Sequence, residues 1–240
     1  RKEMEGELIK LDFPKNFKLV ITGAGRVAGG AIEVLEKTNI KRVSPQDFLN
    51  TAFDEPVYTQ LDVEDYVKRD DDVSFDKSKF FSDPIGHSSN FMRYAAVADV
   101  YVACHYWDNR SPFIFTREDV KNPNWNISLV ADVSCDIDGP VATTLRPSTI
   151  ADPFYGYNPQ SEEEVDFDND DSIGVMAVDN LPCELPKDAS VSFGEMFIDH
   201  VLEPLLGNDP EDIIYRASET KEGKLTPQFA YLKDYLEGKD

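Results

Sequence analysis

Three small residues, Gly23, Gly25 and Ala28, have the spacing G-x-G-x-x-A. They follow an apolar run that ends at Ile21, and apolar residues recur at helical spacing after them. This order predicts a strand, a glycine turn and a helix whose free N–H groups and dipole attract a phosphate. Because no P-loop Lys-Ser/Thr pair follows, we predict a dinucleotide site rather than a mononucleotide P-loop.

Further candidates follow the next two predicted strands, because ligands of a doubly wound sheet bind beyond the carboxyl ends of its strands. An acid after the second strand would bind the adenosine ribose, but the sequence has Ser44 there, with Lys41 and Arg42 beside it. Either these groups accept a 2′-phosphate, which makes NADP an alternative to NAD, or the two cations simply face water. After the third strand, Asp62 and Val63 either flank the adenine or form an ordinary loop.

Three more candidates follow the later strands. His105 is either a general acid or base, or a structural hydrogen-bonding residue. Asp136 either binds a substrate ammonium and steers protonation, or caps a turn. The turn formed by Asp179, Asn180 and Leu181 contains the donor and the acceptor that a carboxamide ring requires.

The elements that position these residues alternate along the chain. Strands are predicted near residues 17–21, 40–43, 57–61, 99–104, 127–133 and 173–178. Helices are predicted after the glycine turn, from the cap at Ser44, near 89–98, from the cap at Thr116, and near 188–206, 210–217 and 227–237. Residues 134–172 lack a clear period and are predicted to be a long excursion. The alternation predicts an α/β fold with a doubly wound, mostly parallel, Rossmann-like sheet. We expect an entry segment at 1–16, a nucleotide-binding domain at 17–207 and a helical tail at 208–240.

Composition excludes several classes of function. The chain has 240 residues, and its 46 acidic and 24 basic side chains give a net charge of -22, which disfavours nucleic acid and anionic membrane as partners. The three cysteines and three histidines have no spacing typical of a disulfide framework or a metal site. No signal peptide and no apolar run of membrane-spanning length is present, so a cytoplasmic location is expected.

Three ordered motifs carry a family resemblance. They are Y-W-x-x-R-x-P from residue 106, D-V-S-C-D-I-D-G from residue 132, and V-D-N-L-P-x-x-L-P-x-x-A-S from residue 178. From about residue 17 to its end, the chain resembles lysine-ketoglutarate reductase and lysine-forming saccharopine dehydrogenase. It is more distantly similar to alanine dehydrogenase and the pyridine nucleotide transhydrogenase domain.

The resemblance implies a two-domain oxidoreductase that reduces the imine of lysine and 2-oxoglutarate with NAD(P)H. An N-terminal domain would carry a lysine and histidine acid-base pair, and nothing before residue 17 resembles it, so we expect a fragment. The C-terminal helices would then pack on that missing domain, and a homo-oligomer is left open. An alanine dehydrogenase-like enzyme and a non-catalytic nucleotide-binding regulatory module are the alternatives.

The resemblance also implies roles for individual residues. The pyrophosphate would lie against Gly23, Gly25, Arg26 and Val27. The turn at residues 179–181 would lie along the nicotinamide, and Asp136 would lie in the active site. Independently of the resemblance, we expect cofactor contacts from His105 and Tyr106, which follow the fourth strand.

Overall fold

The structure is a computed structural model that describes residues 1–71 and 73–239, and it contains two compact units. The first unit is Arg1–Leu181 and the second is Pro182–Asp240. The division into a nucleotide-binding domain at 17–207 and a tail at 208–240 stays a prediction.

The first unit is built on ten strands. They are β1 (Lys18–Thr22), β2 (Lys41–Arg42), β3 (Val57–Leu61), β4 (Val67–Arg69), β5 (His87–Ser89), β6 (Val100–Ala103), β7 (Leu129–Asp132), β8 (Phe154–Asn158), β9 (Glu163–Val165) and β10 (Ile173–Met176). Eight of them form one sheet in the order β2-β3-β1-β6-β7-β10-β8-β9, and β4 pairs with β5 in a separate antiparallel ribbon. The six strands β2, β3, β1, β6, β7 and β10 run parallel to one another. This confirms the predicted α/β fold with a mostly parallel sheet.

Helices connect these strands. They are α1 (Lys2–Leu8), α2 (Arg26–Leu35), α3 (Pro45–Asn50), α4 (Val63–Tyr66), α5 (Lys77–Ser82), α6 (Met92–Ala95) and α7 (Arg117–Val120). Several begin where a side chain accepts a hydrogen bond from a free backbone N–H group, as Ser44 does for α3. Asp62 and Thr116 start α4 and α7 with full capping boxes. These caps fix where each helix leaves the carboxyl end of a strand.

The strand beside β1 on one side is β3, and β2 lies outside it at the edge of the sheet. The five residues of β3 are buried except for Gln60, whereas the two residues of β2, Lys41 and Arg42, are both exposed. A short charged strand suits an edge, because it discourages pairing with other chains. The carboxyl end of β3, and with it Asp62, therefore lies next to the glycine turn, and Ser44 lies one strand further away.

Two predicted segments differ from the structure. Residues 134–172 contain β8 and β9, which extend the main sheet antiparallel to their neighbours. Tyr155 and Tyr157 of β8 are buried. Their alternating pattern is typical of a strand, but it is short and surrounded by prolines, glycines and aspartates, so it was not recognised. In the region of residues 89–98, the helix covers only Met92–Ala95, because His87–Ser89 before it pairs with β4.

Two apolar layers cover the main sheet. An aromatic layer includes Phe48, Phe91, Tyr94, Tyr101 and Phe115. The opposite layer packs α2 on the sheet through residues that include Ile21, Ala28, Ile32 and Tyr58. Because Ala28 has no exposed surface and no larger side chain intervenes, the start of α2 lies close to β1.

The second unit is mainly helical. Its elements are α8 (Pro186–Phe197), a π-helical turn (Ile198–Leu202), α9 (Glu203–Leu205), α10 (Ile213–Ala217), a hairpin of β11 (Thr220–Lys221) and β12 (Lys224–Leu225), a 3-10 helix (Pro227–Leu232) and α11 (Lys233–Leu236). The long helix and the two later helical regions agree with the sequence, but the hairpin was not predicted. In the parts of the chain that the structure describes, no helix has the length and apolarity to cross a bilayer.

Candidate functional site

A cavity of about 450 Å³ lies at the carboxyl ends of β1, β3 and β6. Its lining consists of Gly23, Ala24, Gly25, Arg26, Val27, Asp62, Val63, Tyr66, Lys77, Phe81, Cys104, His105 and Tyr106. Ligands of doubly wound sheets bind at this end, where helices begin and backbone N–H groups are free. The cavity is therefore the candidate functional site.

The glycine turn forms one wall of the cavity, and its two glycines serve different purposes. Gly23 has a φ of +106°, and a Cβ atom there would lie 2.5 Å from the carbonyl oxygen of Cys104. Its N–H donates to the Leu61 carbonyl at 3.0 Å. Gly25 has an ordinary extended backbone with a φ of -92°, and a Cβ atom there would meet nothing within 4 Å. Gly23 is thus required by the fold, whereas Gly25 leaves open space at the start of α2.

Asp62 supplies a carboxylate at the cavity wall. It accepts hydrogen bonds from the Val63 N–H at 2.7 Å and from Lys77 Nζ at 2.5 Å. Burial acts to raise the pKa of Asp62, but the hydrogen bonds from Lys77 and Val63 outweigh it and hold the pKa below its ordinary value. The cavity therefore contains an ionised carboxylate beside an ammonium group.

His105 and Cys104 supply the polar groups of the opposite wall. Burial lowers the pKa of His105 to about 4, so its imidazole is neutral at physiological pH. Its Nδ1 lies 2.9 Å from the hydroxyl of Thr22, and its ring packs at 6.0 Å from that of Tyr66. Burial also raises the pKa of Cys104 to about 11, which keeps this thiol protonated and unsuited to act as a nucleophile.

The depressed pKa of His105 predicts acid sensitivity of the first unit. In the unfolded chain the imidazole titrates near 6.5, but in the folded chain it titrates near 4. The stabilisation is therefore complete above pH 6.5 and is lost as the pH falls from 6.5 to 4, by about 3 kcal/mol. Urea unfolding of wild type and His105→Gln, followed by tryptophan fluorescence at several pH values, measures this loss. Parallel pH profiles for the two proteins would contradict the prediction.

Of the predicted site residues, eight line this cavity: Gly23, Gly25, Arg26, Val27, Asp62, Val63, His105 and Tyr106. Ser44 does not line it, and its hydroxyl caps α3 while donating to Asp47 at 2.7 Å. Lys41 pairs with Glu55 at 2.7 Å, and Arg42 donates to the Gln60 side chain at 2.6 Å.

The remaining predicted residues lie at the ends of β7 and β10 and do not line the cavity: Asp136, Asp179, Asn180 and Leu181. Burial raises the pKa of the Cys135 thiol, and the charges of Asp132, Asp179 and Asp136 raise it further. The three carboxylates therefore all lie near the Cys135 thiol. Burial and the charge of Asp132 also raise the pKa of Asp136.

The loop after β7 is held by Asp132, a carboxylate with no exposed surface. One of its oxygens accepts from the N–H groups of Ser134 and Cys135, each at 3.1 Å, and the other accepts from the Thr144 hydroxyl at 2.6 Å. Cys135 itself has a φ of +54°, a conformation that needs such support. Asp132 thus fixes the backbone that presents Asp136.

Removing this carboxylate is expected to destabilise the first unit. Asp132→Ala leaves buried donors unsatisfied and should lower the free energy of unfolding by about 3 kcal/mol. Asp136→Ala is the matched control, because Asp136 is exposed and should change stability by less than about 0.5 kcal/mol. Urea unfolding measures both values, and equal stabilities of the two variants would show that Asp132 does not hold the loop.

Sequence reasoning missed five residues that line the cavity: Ala24, Tyr66, Lys77, Phe81 and Cys104. The sequence contains a pattern that could have indicated Tyr66. The capping box at Asp62 predicts a helix, and residue 66 lies one helical turn after residue 62. Cys104 directly precedes His105 and could have been included with it. Lys77 and Phe81 lie on α5, which no pattern in the sequence connects to the end of β3.

Comparison with known proteins gives relatives over most of the chain. The alpha-aminoadipic semialdehyde synthase of Arabidopsis thaliana is 27% identical over 89% of this chain and 22% of its own length. The mitochondrial alpha-aminoadipic semialdehyde synthase of Mus musculus is 26% identical over 92% of this chain and 27% of its own length. The saccharopine dehydrogenase [NAD(+), L-lysine-forming] of Candida albicans is 23% identical over 84% of this chain and 42% of its own length. No family model matches the chain.

The names of these relatives agree with the family resemblance that the three motifs indicate. The chain spans less than half the length of each of these relatives. Over most of its length, the chain is similar to the lysine-forming saccharopine dehydrogenases and the alpha-aminoadipic semialdehyde synthases.

Proposed function

We propose that the first unit binds a pyridine dinucleotide and that the chain is the cofactor-binding part of an amino-acid oxidoreductase acting on a CH–NH group. The observation that carries this proposal is the open space at Gly25, where α2 starts at the cavity. The backbone conformation at this position does not require a glycine, so the space must serve another purpose. An α-helix of ten residues with a free N-terminus favours a phosphate at this point. When bound, the dinucleotide supplies the hydride of the reaction.

The structure gives reasons to place each part of the cofactor. The pyrophosphate fits against Gly23, Gly25, Arg26 and Val27, as the resemblance implies. Asp62 lies at the end of the strand next to β1, where an acid that binds ribose hydroxyls belongs in a dinucleotide fold. Two exposed rings at the cavity, Phe81 and Tyr106, offer flat faces on which a base can stack.

This arrangement favours NAD over NADP. A 2′-phosphate beside Asp62 would meet an ionised carboxylate of like charge, and Lys77 is already paired with that carboxylate. The groups that suggested NADP already have other partners, since Lys41 pairs with Glu55 and Ser44 caps α3. The name of the Candida albicans relative also specifies NAD(+).

The substrate side of the proposal involves the ends of β7 and β10. We place the nicotinamide along the turn at residues 179–181, with Asp136 towards the amino-acid substrate. The acid-base groups would come from a further domain, in accord with the chain spanning about a quarter of the plant and mouse relatives. We propose lysine and 2-oxoglutarate as the substrates, combined as an imine that is reduced to saccharopine.

Two other functions remain as alternatives. An alanine dehydrogenase-like enzyme would use pyruvate and ammonia, and a regulatory module would bind nucleotide without turnover. Assays of the longer protein with each substrate pair and NADH separate the three, because only the lysine pair should oxidise NADH under our proposal.

The first test is a titration of the 240-residue chain with NADH and NADPH, followed by tryptophan quenching and thermal shift. We expect NADH to bind more tightly than NADPH and Asp62→Asn to reduce that preference. Glu64→Gln is the matched control, because Glu64 follows Asp62 closely but does not line the cavity. Tighter binding of NADPH would contradict the Asp62 placement, and binding of neither would contradict the proposed cofactor site.

A further inference from the structure

The imidazole of His105 has one satisfied nitrogen and one unsatisfied nitrogen. Its Nδ1 contacts the Thr22 hydroxyl at 2.9 Å. Its Nε2 is buried and has no hydrogen-bond partner within residues 1–71 and 73–239. His105 lines the cavity and is only 7% exposed, and neither a described protein group nor bulk water pairs with its Nε2. A buried polar atom left in this way is costly, and a bound ligand would remove that cost.

A chain of two hydroxyl groups determines which nitrogen carries the proton. The Tyr101 hydroxyl lies 2.8 Å from that of Thr22, and Tyr101 has no exposed surface. In the part of the chain that the structure describes, Thr22 is the one hydrogen-bond partner of the Tyr101 hydroxyl. Tyr101 must therefore donate to Thr22, since accepting would leave its own proton unpaired in the core.

The remaining proton positions follow from this first one. The Thr22 oxygen accepts from Tyr101, and His105 Nδ1 is the other partner of this buried hydroxyl among the described residues. Thr22 must therefore donate to Nδ1, since its proton would otherwise be unpaired in the core. A neutral imidazole that accepts at Nδ1 carries its proton at Nε2. His105 is neutral because burial lowers its pKa to about 4, so the imidazole has a single proton to place.

We propose that His105 donates a hydrogen bond from Nε2–H to an acceptor oxygen of the bound nucleotide, and that Thr22 and Tyr101 hold it in this donor form. This inference rests on the proposed dinucleotide site. The acceptor is a phosphate oxygen or an oxygen of the nicotinamide ribose, since both adjoin the glycine turn in a bound dinucleotide. Thr22 and Tyr101 are positioning residues, because they act on the ligand only through His105.

The donor form can be measured without any ligand. Long-range ¹H–¹⁵N correlation spectra of the imidazoles at pH 7 distinguish a protonated Nε2 from a protonated Nδ1. The chain has three histidines, and the signal missing in His105→Gln identifies residue 105. We expect His105 in the Nε2–H form in wild type and in Thr22→Ser, and a mixture of both forms in Thr22→Val. A predominant Nδ1–H form in wild type would overturn the proposal.

The contact with the ligand is tested by titration with NADH. Glutamine can place an N–H group where Nε2–H lies, whereas methionine has a similar size and no donor. His105→Met should bind NADH about tenfold more weakly than wild type. His105→Gln should bind NADH with an affinity close to that of wild type. Unchanged binding by His105→Met overturns this inference while leaving the proposed function intact. Failure of wild type to bind NADH overturns the proposed function itself.

A second ligand distinguishes the two acceptors. ADP contains the pyrophosphate but lacks the nicotinamide ribose. If the acceptor is a phosphate oxygen, His105→Met should weaken ADP and NADH binding by the same factor. If the acceptor is the nicotinamide ribose, only NADH binding should weaken. If His105→Met binds ADP as tightly as wild type does, and also binds NADH as tightly as wild type does, the proposal is overturned in both forms.

Discussion

Gly25→Val is expected to weaken NADH binding by at least about 100-fold while the first unit keeps its fold. The backbone of Gly25 is extended, with φ -92° and ψ -167°, so a β-branched residue can adopt it without strain. A Cβ atom there meets no protein atom within 4 Å, so the new side chain fits the protein. It would instead occupy the space at the start of α2 where we place the pyrophosphate.

Gly30→Val is the matched control for this prediction. Gly30 belongs to the same helix, is exposed, has open space around it and does not line the cavity. The same substitution there should leave NADH affinity unchanged. Tryptophan quenching measures both affinities, and circular dichroism verifies that both variants are folded. Wild-type affinity of a folded Gly25→Val would place the phosphate elsewhere.

Gly23→Ala is expected to lower the free energy of unfolding of the first unit by about 3 kcal/mol. The φ of +106° at this position is unfavourable for any residue with a Cβ atom. The added carbon would also lie 2.5 Å from the carbonyl oxygen and 2.8 Å from the carbonyl carbon of Cys104. Both atoms belong to the backbone that follows β6. The Cys104 N–H donates to the backbone carbonyl of Thr22, which directly precedes the turn. The clash therefore separates β1 from β6 or distorts the turn.

Urea unfolding followed by fluorescence measures this loss, because Trp107 and Trp125 both belong to the first unit. Gly25→Ala is the matched control, and it should change the free energy of unfolding by less than about 1 kcal/mol. A Gly23→Ala variant as stable as Gly25→Ala would show that the turn can relax without cost. The two glycines would then have the same role, contrary to the geometry.

Local sequence determined the elements that carry the site. The strand β1, the glycine turn and α2 follow from an apolar run, two glycines and helical spacing, all within residues 17–35. The third strand agrees residue for residue with the prediction, because Val57–Leu61 is a compact segment rich in residues that favour strands, namely Val, Tyr and Thr. The starts of α3 and α7 were also predicted, since capping by Ser44 and Thr116 depends on residues only three positions apart.

Less could be predicted where distant partners decide the structure. The strands β8 and β9 are short, and they are stabilised by pairing with β10 and with each other. The same is true of β4 and β5, whose pairing takes Ser89 out of the helix that was predicted at residues 89–98. Short segments have weak local preferences, so tertiary pairing determines their conformation.

The order of the strands had the largest consequence for the site. The sequence showed Ser44 after β2 and Asp62 after β3, but it did not show that β3 lies between β2 and β1. That order decides which side chain lies beside the glycine turn, and it brings Asp62 to the cavity while Ser44 caps a helix. Strand order depends on which apolar faces are buried together, and this is a property of the whole sheet.

The environment of His105 was likewise decided by the tertiary structure. Its position after β6 was clear from the sequence, and its chemistry was left open between catalysis and hydrogen bonding. Thr22 and Tyr101, which contact it directly or through one hydroxyl, come from different strands and have no spacing pattern that connects them. The sequence thus determined the residue types at each strand end, because these depend on local runs and turns. Only the packed sheet decided which of them share a cavity, because that depends on contacts between residues far apart in the chain.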